Sequence, residues 1–86
     1  MPEVSRFYGI VIRMYFDDHL PPHFHAEYGE YEALVAIDDS WMIAGELPTR
    51  AFKLVREWAR LHRDELFSRW EQARQFKPLV RIAPLD

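Results

Sequence analysis

His23-Phe24-His25-Ala26-Glu27-Tyr28-Gly29-Glu30-Tyr31-Glu32-Ala33-Leu34-Val35-Ala36-Ile37 reads as two strands joined by a two-residue turn. Glycine at the first central position suits a type II′ turn, whose twist matches that of the flanking strands. A Gly29-Glu30 turn pairs Tyr28 with Tyr31, Ala26 with Ala33 and Phe24 with Val35. Side chains alternate across a strand, so these pairs define an apolar core face. The opposite face then carries His23, His25, Glu27, Glu32 and Leu34, which directs the histidines away from the main core.

The rest of the chain is read outward from this hairpin. Residues 6–16, rich in aromatic and β-branched side chains, read as one long first strand. Asp17 to Pro22 is a loop, Asp38-Asp39-Ser40 a turn, and Trp41 to Gly45 a short further strand. Pro48 suits the first turn of a helix, with Leu47 or Thr49 near its cap. Ala51, Val55, Ala59, His62, Leu66, Trp70 and Ala73 then recur at spacings of 4, 4, 3, 4, 4 and 3, which predicts one long helix over about 49–75, with a bend near Arg63-Asp64. Trp58 also reads as core, Phe67 lies off the apolar stripe, and His62 reads as a buried, hydrogen-bonded residue within it. The expected fold is α+β: a small antiparallel sheet of three to four strands packed on one long helix, with residues 79–82 as a candidate short C-terminal strand. The whole chain, 1–86, is expected to form a single domain.

Composition narrows the functional classes. Hydrophobic residues make up 49% and aromatic residues 15% of the chain, which marks a globular sequence. There is no cysteine, so disulfides and thiolate metal sites are excluded. No apolar run approaches the ~18 residues of a membrane span, and the reading is a soluble, cytoplasmic protein. Net charge is −3, against bulk nucleic-acid binding, but it is unevenly spread: residues 1–47 hold two basic and nine acidic side chains (−7), residues 48–86 nine basic and five acidic (+4). Lys53, Arg56, Arg60 and Arg63, spaced three, four and three, share a helix face that suits an acidic protein segment or RNA. The competing reading is pairing of that stripe with the acidic half, for instance Asp38 or Glu46, or simple solvation.

Three of the four histidines fall within His19-Leu20-Pro21-Pro22-His23-Phe24-His25-Ala26-Glu27. Histidine changes charge most readily near neutral pH and is the commonest metal ligand. Two chemistries follow. His23 and His25, with Glu27 or His19, offer nitrogen and oxygen ligands to a divalent metal such as zinc, nickel or iron. Alternatively His23, His25, Glu27, His19 and Arg13 form a nuclease-type set: one histidine takes a ribose 2′-hydroxyl proton, another protonates the leaving oxygen, and an arginine stabilises the phosphorane. The plain alternative is a structural segment whose histidines only hydrogen-bond the loop or a partner.

Ser5-Arg6-Phe7-Tyr8-Gly9-Ile10, Arg13-Met14-Tyr15, Asp17-Asp18-His19 and Pro21-Pro22-His23-Phe24-His25 together resemble bacterial domain-of-unknown-function family 4160, as do Glu57-Trp58, His62, Glu65-Leu66, Trp70, Ala73, Pro78, Ile82 and Pro84-Leu85. The resemblance implies the toxin component of a two-gene toxin–antitoxin module, with a small antitoxin from the family numbered 2442 as partner and a hetero-oligomer as the working state. It brings no assignment of catalytic residues and no cofactor. A non-enzymatic regulatory module working as a complex with its partner is the competing class.

Overall fold

The computed structural model describes residues 2–86. Five strands run in chain order: β1 (Glu3–Phe7), β2 (Ile10–Arg13), β3 (His23–Tyr28), β4 (Tyr31–Ala36) and β5 (Met42–Gly45). They form one antiparallel sheet in the order β1-β2-β3-β4-β5. Two helices follow, α1 (Thr49–Leu61) and α2 (Arg63–Arg74). The α+β class therefore holds, with one more strand and one more helix than the sequence reading gave.

The β3–β4 register is the expected one: Tyr28 opposes Tyr31, Ala26 opposes Ala33 and Phe24 opposes Val35. Gly29 has φ 58, the positive value that a type II′ turn needs at this position. Phe24, Ala26, Ala33 and Val35 are fully buried.

The single strand expected over 6–16 is instead a hairpin. Tyr8 and Gly9 both take positive φ (50 and 80), so Phe7 pairs with Ile10 across a two-residue turn of the type I′ kind. A tyrosine at a left-handed position is unusual, because its Cβ crowds the backbone there. Residues 14–16 leave the sheet: Met14 is buried, and Phe16 stacks on Phe76 at 5.9 Å between ring centres.

The apolar stripe of the helical region buries as expected through Ala51, Val55, Ala59, Leu66, Trp70 and Ala73. The helix is broken at His62 (φ −116, ψ 25), one residue before the expected bend. Hydrogen bonds from His62 N–H to the Trp58 carbonyl (3.1 Å) and from Leu66 N–H to the His62 carbonyl (2.9 Å) span the junction, so the stripe keeps its phase. His62 is thus a junction residue rather than a core one: its ring is 17% exposed and bonds Glu65 through Nδ1 at 2.6 Å. Phe67 is half-buried against the core, not free of it.

After α2 the chain turns at Phe76 (φ 57), with Phe76 N–H bonding the Ala73 carbonyl (3.1 Å) and Lys77 N–H the Gln72 carbonyl (2.9 Å). This is the Schellman pattern. Residues 79–82 are not a strand. One backbone bond, Ile82 N–H to the Val4 carbonyl at 2.7 Å, lays this segment along β1, where Ile82 enters the core. Trp58 Nε1 donates to the Ala83 carbonyl at 2.8 Å, holding the same segment from the helix side. The edge beside β1 is thereby covered, whereas β5 leaves Ile43 exposed, with Trp41 exposed just before it.

Candidate functional site

The site is built where the start of β3 meets the loop over residues 14–22. Ile37 N–H bonds the Pro22 carbonyl at 3.1 Å, extending the β3–β4 ladder one step and fixing the backbone that enters His23. Asp17 has φ 53, and its N–H reaches the Ala73 carbonyl at the end of α2 at 3.3 Å. This long-range bond lays the next residue, Asp18, over the histidines.

Asp18 is the hub. Its Oδ1 accepts hydrogen bonds from the backbone N–H and the ring Nδ1 of His19, each at 2.8 Å. Its Oδ2 lies 3.0 Å from His23 Nε2 and 3.2 Å from His25 Nε2. Burial pushes the Asp18 carboxyl up, but the His25 bond and the two His19 bonds outweigh it and, with His23 close by, hold the group at about 2. The carboxylate is therefore charged at neutral pH.

The three histidines differ in setting. His23 is 1% exposed, with its ring 5.3 Å from that of Trp70. Its Nδ1 is 2.8 Å from the Pro21 carbonyl. A carbonyl only accepts, so Nδ1 carries the hydrogen, and the neutral ring keeps its lone pair on Nε2. That Nε2 is buried, and despite its closeness to Asp18 Oδ2 it has no aligned hydrogen-bond partner among the described residues. His25 is 14% exposed, with Nε2 toward Asp18 and Nδ1 3.3 Å from Glu32 Oε2. The Tyr15 ring meets the His25 ring edge-on at 4.4 Å. His19 is 73% exposed, and Nδ1 is its engaged nitrogen.

The remaining residues singled out from the sequence fall in two places. Arg13 and Glu27 form an ion pair at 3.2 Å, and Arg13 stands beside His25 in the β2–β3 register. Glu27 and Glu32 are directly opposed. Arg13 on the one and His25 on the other offset a repulsion that like charges so placed would otherwise feel. In the helix stripe, Arg63 pairs with Asp38 at 2.7 Å, the pairing named as the competing reading. Arg56 donates to the Ser40 carbonyl at 3.1 Å and lies 4.2 Å from the centre of the Trp41 ring. Both are committed within the fold. Lys53 and Arg60 are exposed and line a groove with Glu57 and Leu61.

Two corrections follow. The expected metal set of His19, His23 and His25 does not form: the atoms that converge belong to Asp18, His23 and His25, all within 4.8 Å of one another. His23, placed by alternation on the face away from the core, is nevertheless buried, because the loop and Trp70 close over the sheet there. Asp18 was missed as a site residue. Its only local signal was a carboxylate in a proline-stiffened loop leading into the His-x-His strand.

With this geometry in hand, the chain belongs to the family described as Domain of unknown function (DUF4160), whose model matches residues 9–71. No curated protein and no solved structure shows a significant match to it. Among the described residues, no helix is long and apolar enough to cross a membrane.

Proposed function

We propose that this chain is the growth-inhibiting toxin of a bacterial type II toxin–antitoxin pair and that it acts on RNA in the cytoplasm through the cluster around Asp18. The pairing with a small antitoxin rests on the sequence resemblance. The chemical part rests on one observation: His19, 73% exposed, is held by Asp18 Oδ1 through both its backbone N–H and its ring Nδ1. This is the arrangement of an oriented general base, in which a carboxylate fixes the ring and leaves Nε2 for the substrate.

In this reading His19 Nε2 takes the proton of a ribose 2′-hydroxyl. The 2′ oxygen bonds to phosphorus, and the bond from phosphorus to the 5′ oxygen breaks, that oxygen taking a proton from water, which recovers it from the protonated His19 ring. The products are a 2′,3′-cyclic phosphate and a 5′-hydroxyl end. A positioned base of this kind is worth about 10²–10⁴-fold in rate. His23 is too buried to touch RNA and serves the site from beneath. The antitoxin meets Lys53 and Arg60 together with the open edge at β5, where Trp41 and Ile43 are exposed.

The test is expression in a bacterial host with and without the product of the neighbouring gene, beside the His19→Ala variant, with total RNA mapped for new ends. Growth arrest relieved by the neighbour, with cyclic-phosphate ends absent for His19→Ala, supports the reading. Arrest with intact RNA removes the ribonuclease assignment. No arrest at all favours the regulatory complex, in which the exposed β5 edge and the basic stripe are the working surface.

A further inference from the structure

The geometry points to a divalent transition-metal site formed by Asp18 Oδ2, His23 Nε2 and His25 Nε2. It deepens the reading of this cluster as the working site and rests on it, but it is tested by binding rather than by toxicity.

Distance is the first argument. A tetrahedral ion with bonds of about 2.0–2.1 Å to nitrogen and oxygen holds its ligand atoms about 3.3 Å from one another. Asp18 Oδ2 stands 3.0 Å from one imidazole nitrogen and 3.2 Å from the other, and the whole set spans no more than 4.8 Å. The Asp18–histidine separations are thus already close to those that a tetrahedral ion imposes.

The second argument is the state of the nitrogens. His23 Nδ1 must carry a hydrogen toward the Pro21 carbonyl, so in the neutral ring Nε2 presents a bare lone pair to a carboxylate oxygen 3.0 Å away in a buried setting. His25 faces carboxylate oxygens with both ring nitrogens, and a neutral imidazole has one hydrogen for the two. With both rings neutral, acceptor meets acceptor, which is unfavourable and costly when buried; the contacts are satisfied only by an added positive charge, a proton or a metal ion. A cation seated among the three atoms turns each of these contacts into a bond.

The third argument is what stands behind the ligands. Metal-bound histidines almost always donate their other ring N–H to a carbonyl or carboxylate, which fixes the tautomer and the ring. Here the Pro21 carbonyl holds His23 Nδ1 at 2.8 Å and the Glu32 carboxylate faces His25 Nδ1 at 3.3 Å. Both outer partners are in place. Two nitrogens and one oxygen select a first-row ion such as Zn²⁺, Ni²⁺ or Fe²⁺ over Mg²⁺ or Ca²⁺, which take oxygen sets. Three protein ligands leave a fourth position for water or a phosphoryl oxygen, as catalytic rather than structural sites do. His19 stays outside this set, on the other oxygen of Asp18, free to act as base.

The experiment is titration of chelator-treated full-length protein with Zn²⁺ by calorimetry and with Co²⁺ by visible absorption. The wild type is expected to take one ion per chain, with a cobalt spectrum of four- or five-coordinate N/O type. Asp18→Asn and His25→Ala are expected to lose at least 100-fold in affinity. Glu32→Gln, an exposed change that leaves the fold alone, is expected to lose about 10-fold or more, the usual cost of an outer-shell partner. His19→Ala is expected to keep stoichiometric binding. The site is overturned if the wild type binds neither ion at micromolar concentrations, or if folded Asp18→Asn and Glu32→Gln both bind as the wild type does. An unfolded His25→Ala leaves the decision to Glu32→Gln and to the wild type. Tight binding by a chain that neither arrests growth nor cuts RNA overturns the toxin reading and leaves the metal site standing. RNA cleavage by a chain that binds no ion overturns only the metal site.

Discussion

Asp18 and His19 are joined twice, by the backbone N–H and the ring Nδ1 of His19 on the same carboxylate oxygen, each at 2.8 Å. His23, four residues on from His19, is buried against Trp70. Replacing His19 by alanine removes an exposed ring and is expected to change stability by no more than about 0.5 kcal/mol. His23→Ala is expected to cost about 2–4 kcal/mol, from the lost packing on Trp70 and an orphaned Pro21 carbonyl. Urea unfolding of the two variants checks this, and equal midpoints would contradict the burial of His23.

Gly45 is the residue at which the sheet tolerates no side chain. It has φ 81, and a Cβ there would overlap the Glu32 carbonyl oxygen and lie 2.9 Å from Ala33 Cα. Both obstacles are backbone, so they do not yield by a rotamer change. Gly45→Ala is expected to destabilise by about 2–3 kcal/mol through combined strain and overlap. Since Glu32 also faces His25, the same variant is expected to weaken metal binding, and melting and calorimetry on one sample measure both effects.

The Tyr8-Gly9 turn runs the other way. Tyr8 is 58% exposed with φ 50, a conformation that asparagine adopts more readily. Tyr8→Asn is expected to stabilise by about 0.5–1 kcal/mol, which for a chain of this size raises Tm by roughly 2–8 °C. A lower Tm would mean that the tyrosine ring contributes more by packing than its backbone costs.

Glu3 sets part of the acid limit of the fold. Hydrogen bonds from Arg6 and Arg81 hold its carboxyl at about 2, from an ordinary value of 4.5. A depressed folded pKa gives stability that is fully present above the unfolded value and lost as pH falls through the folded one. Glu3→Gln is therefore expected to be less stable than the wild type at pH 7, with the difference shrinking between pH 4.5 and about 2 and gone below that. Melting temperatures of both proteins across this range test the sign. The pair with Arg81 also ties the C-terminal segment to β1, so limited proteolysis after residue 77 is expected to speed up in the variant.

Charge reversal in the helix stripe has to avoid Arg56 and Arg63, which hold the 38–41 loop. Lys53→Glu/Arg60→Glu alters exposed side chains and is expected to leave Tm within about 4 °C, consistent with surface changes of about 0.5 kcal/mol. If the partner or RNA meets this stripe, its affinity falls at least 10-fold in the double variant, and the wild-type affinity falls with added salt. Equal affinity of both proteins at low salt would leave the stripe as a solvated helix face.

The β3–β4 hairpin, its register and its buried face were determined by the sequence alone. An alternating pattern on both sides of Gly29 leaves one pairing that buries Phe24, Ala26, Ala33 and Val35 together, with Tyr28 and Tyr31 exposed at its end, since a one-residue slip would turn Phe24, Ala26 and Val35 to the outer face. The buried stripe from Ala51 to Ala73 was equally legible, because 3.6-residue periodicity is a local property that survives a bend. A bend near Arg63-Asp64 was legible as well, but its sharpening into a break between two helices at His62 was not, and neither was the hairpin at Tyr8-Gly9: tertiary packing overrides weak local preference, and nothing in a tyrosine announces a left-handed turn. The site divides the same way. His25 and Glu32 lie on adjoining strands of one hairpin, so their meeting follows from register. The approach of Asp18 depends on the loop bond from Asp17 to Ala73, 56 residues away, and on Trp70 packing behind His23. Such contacts form only when the helices dock on the sheet. The sequence therefore supplied the histidines and their spacing, and the tertiary structure decided which carboxylate joins them and which ring is buried.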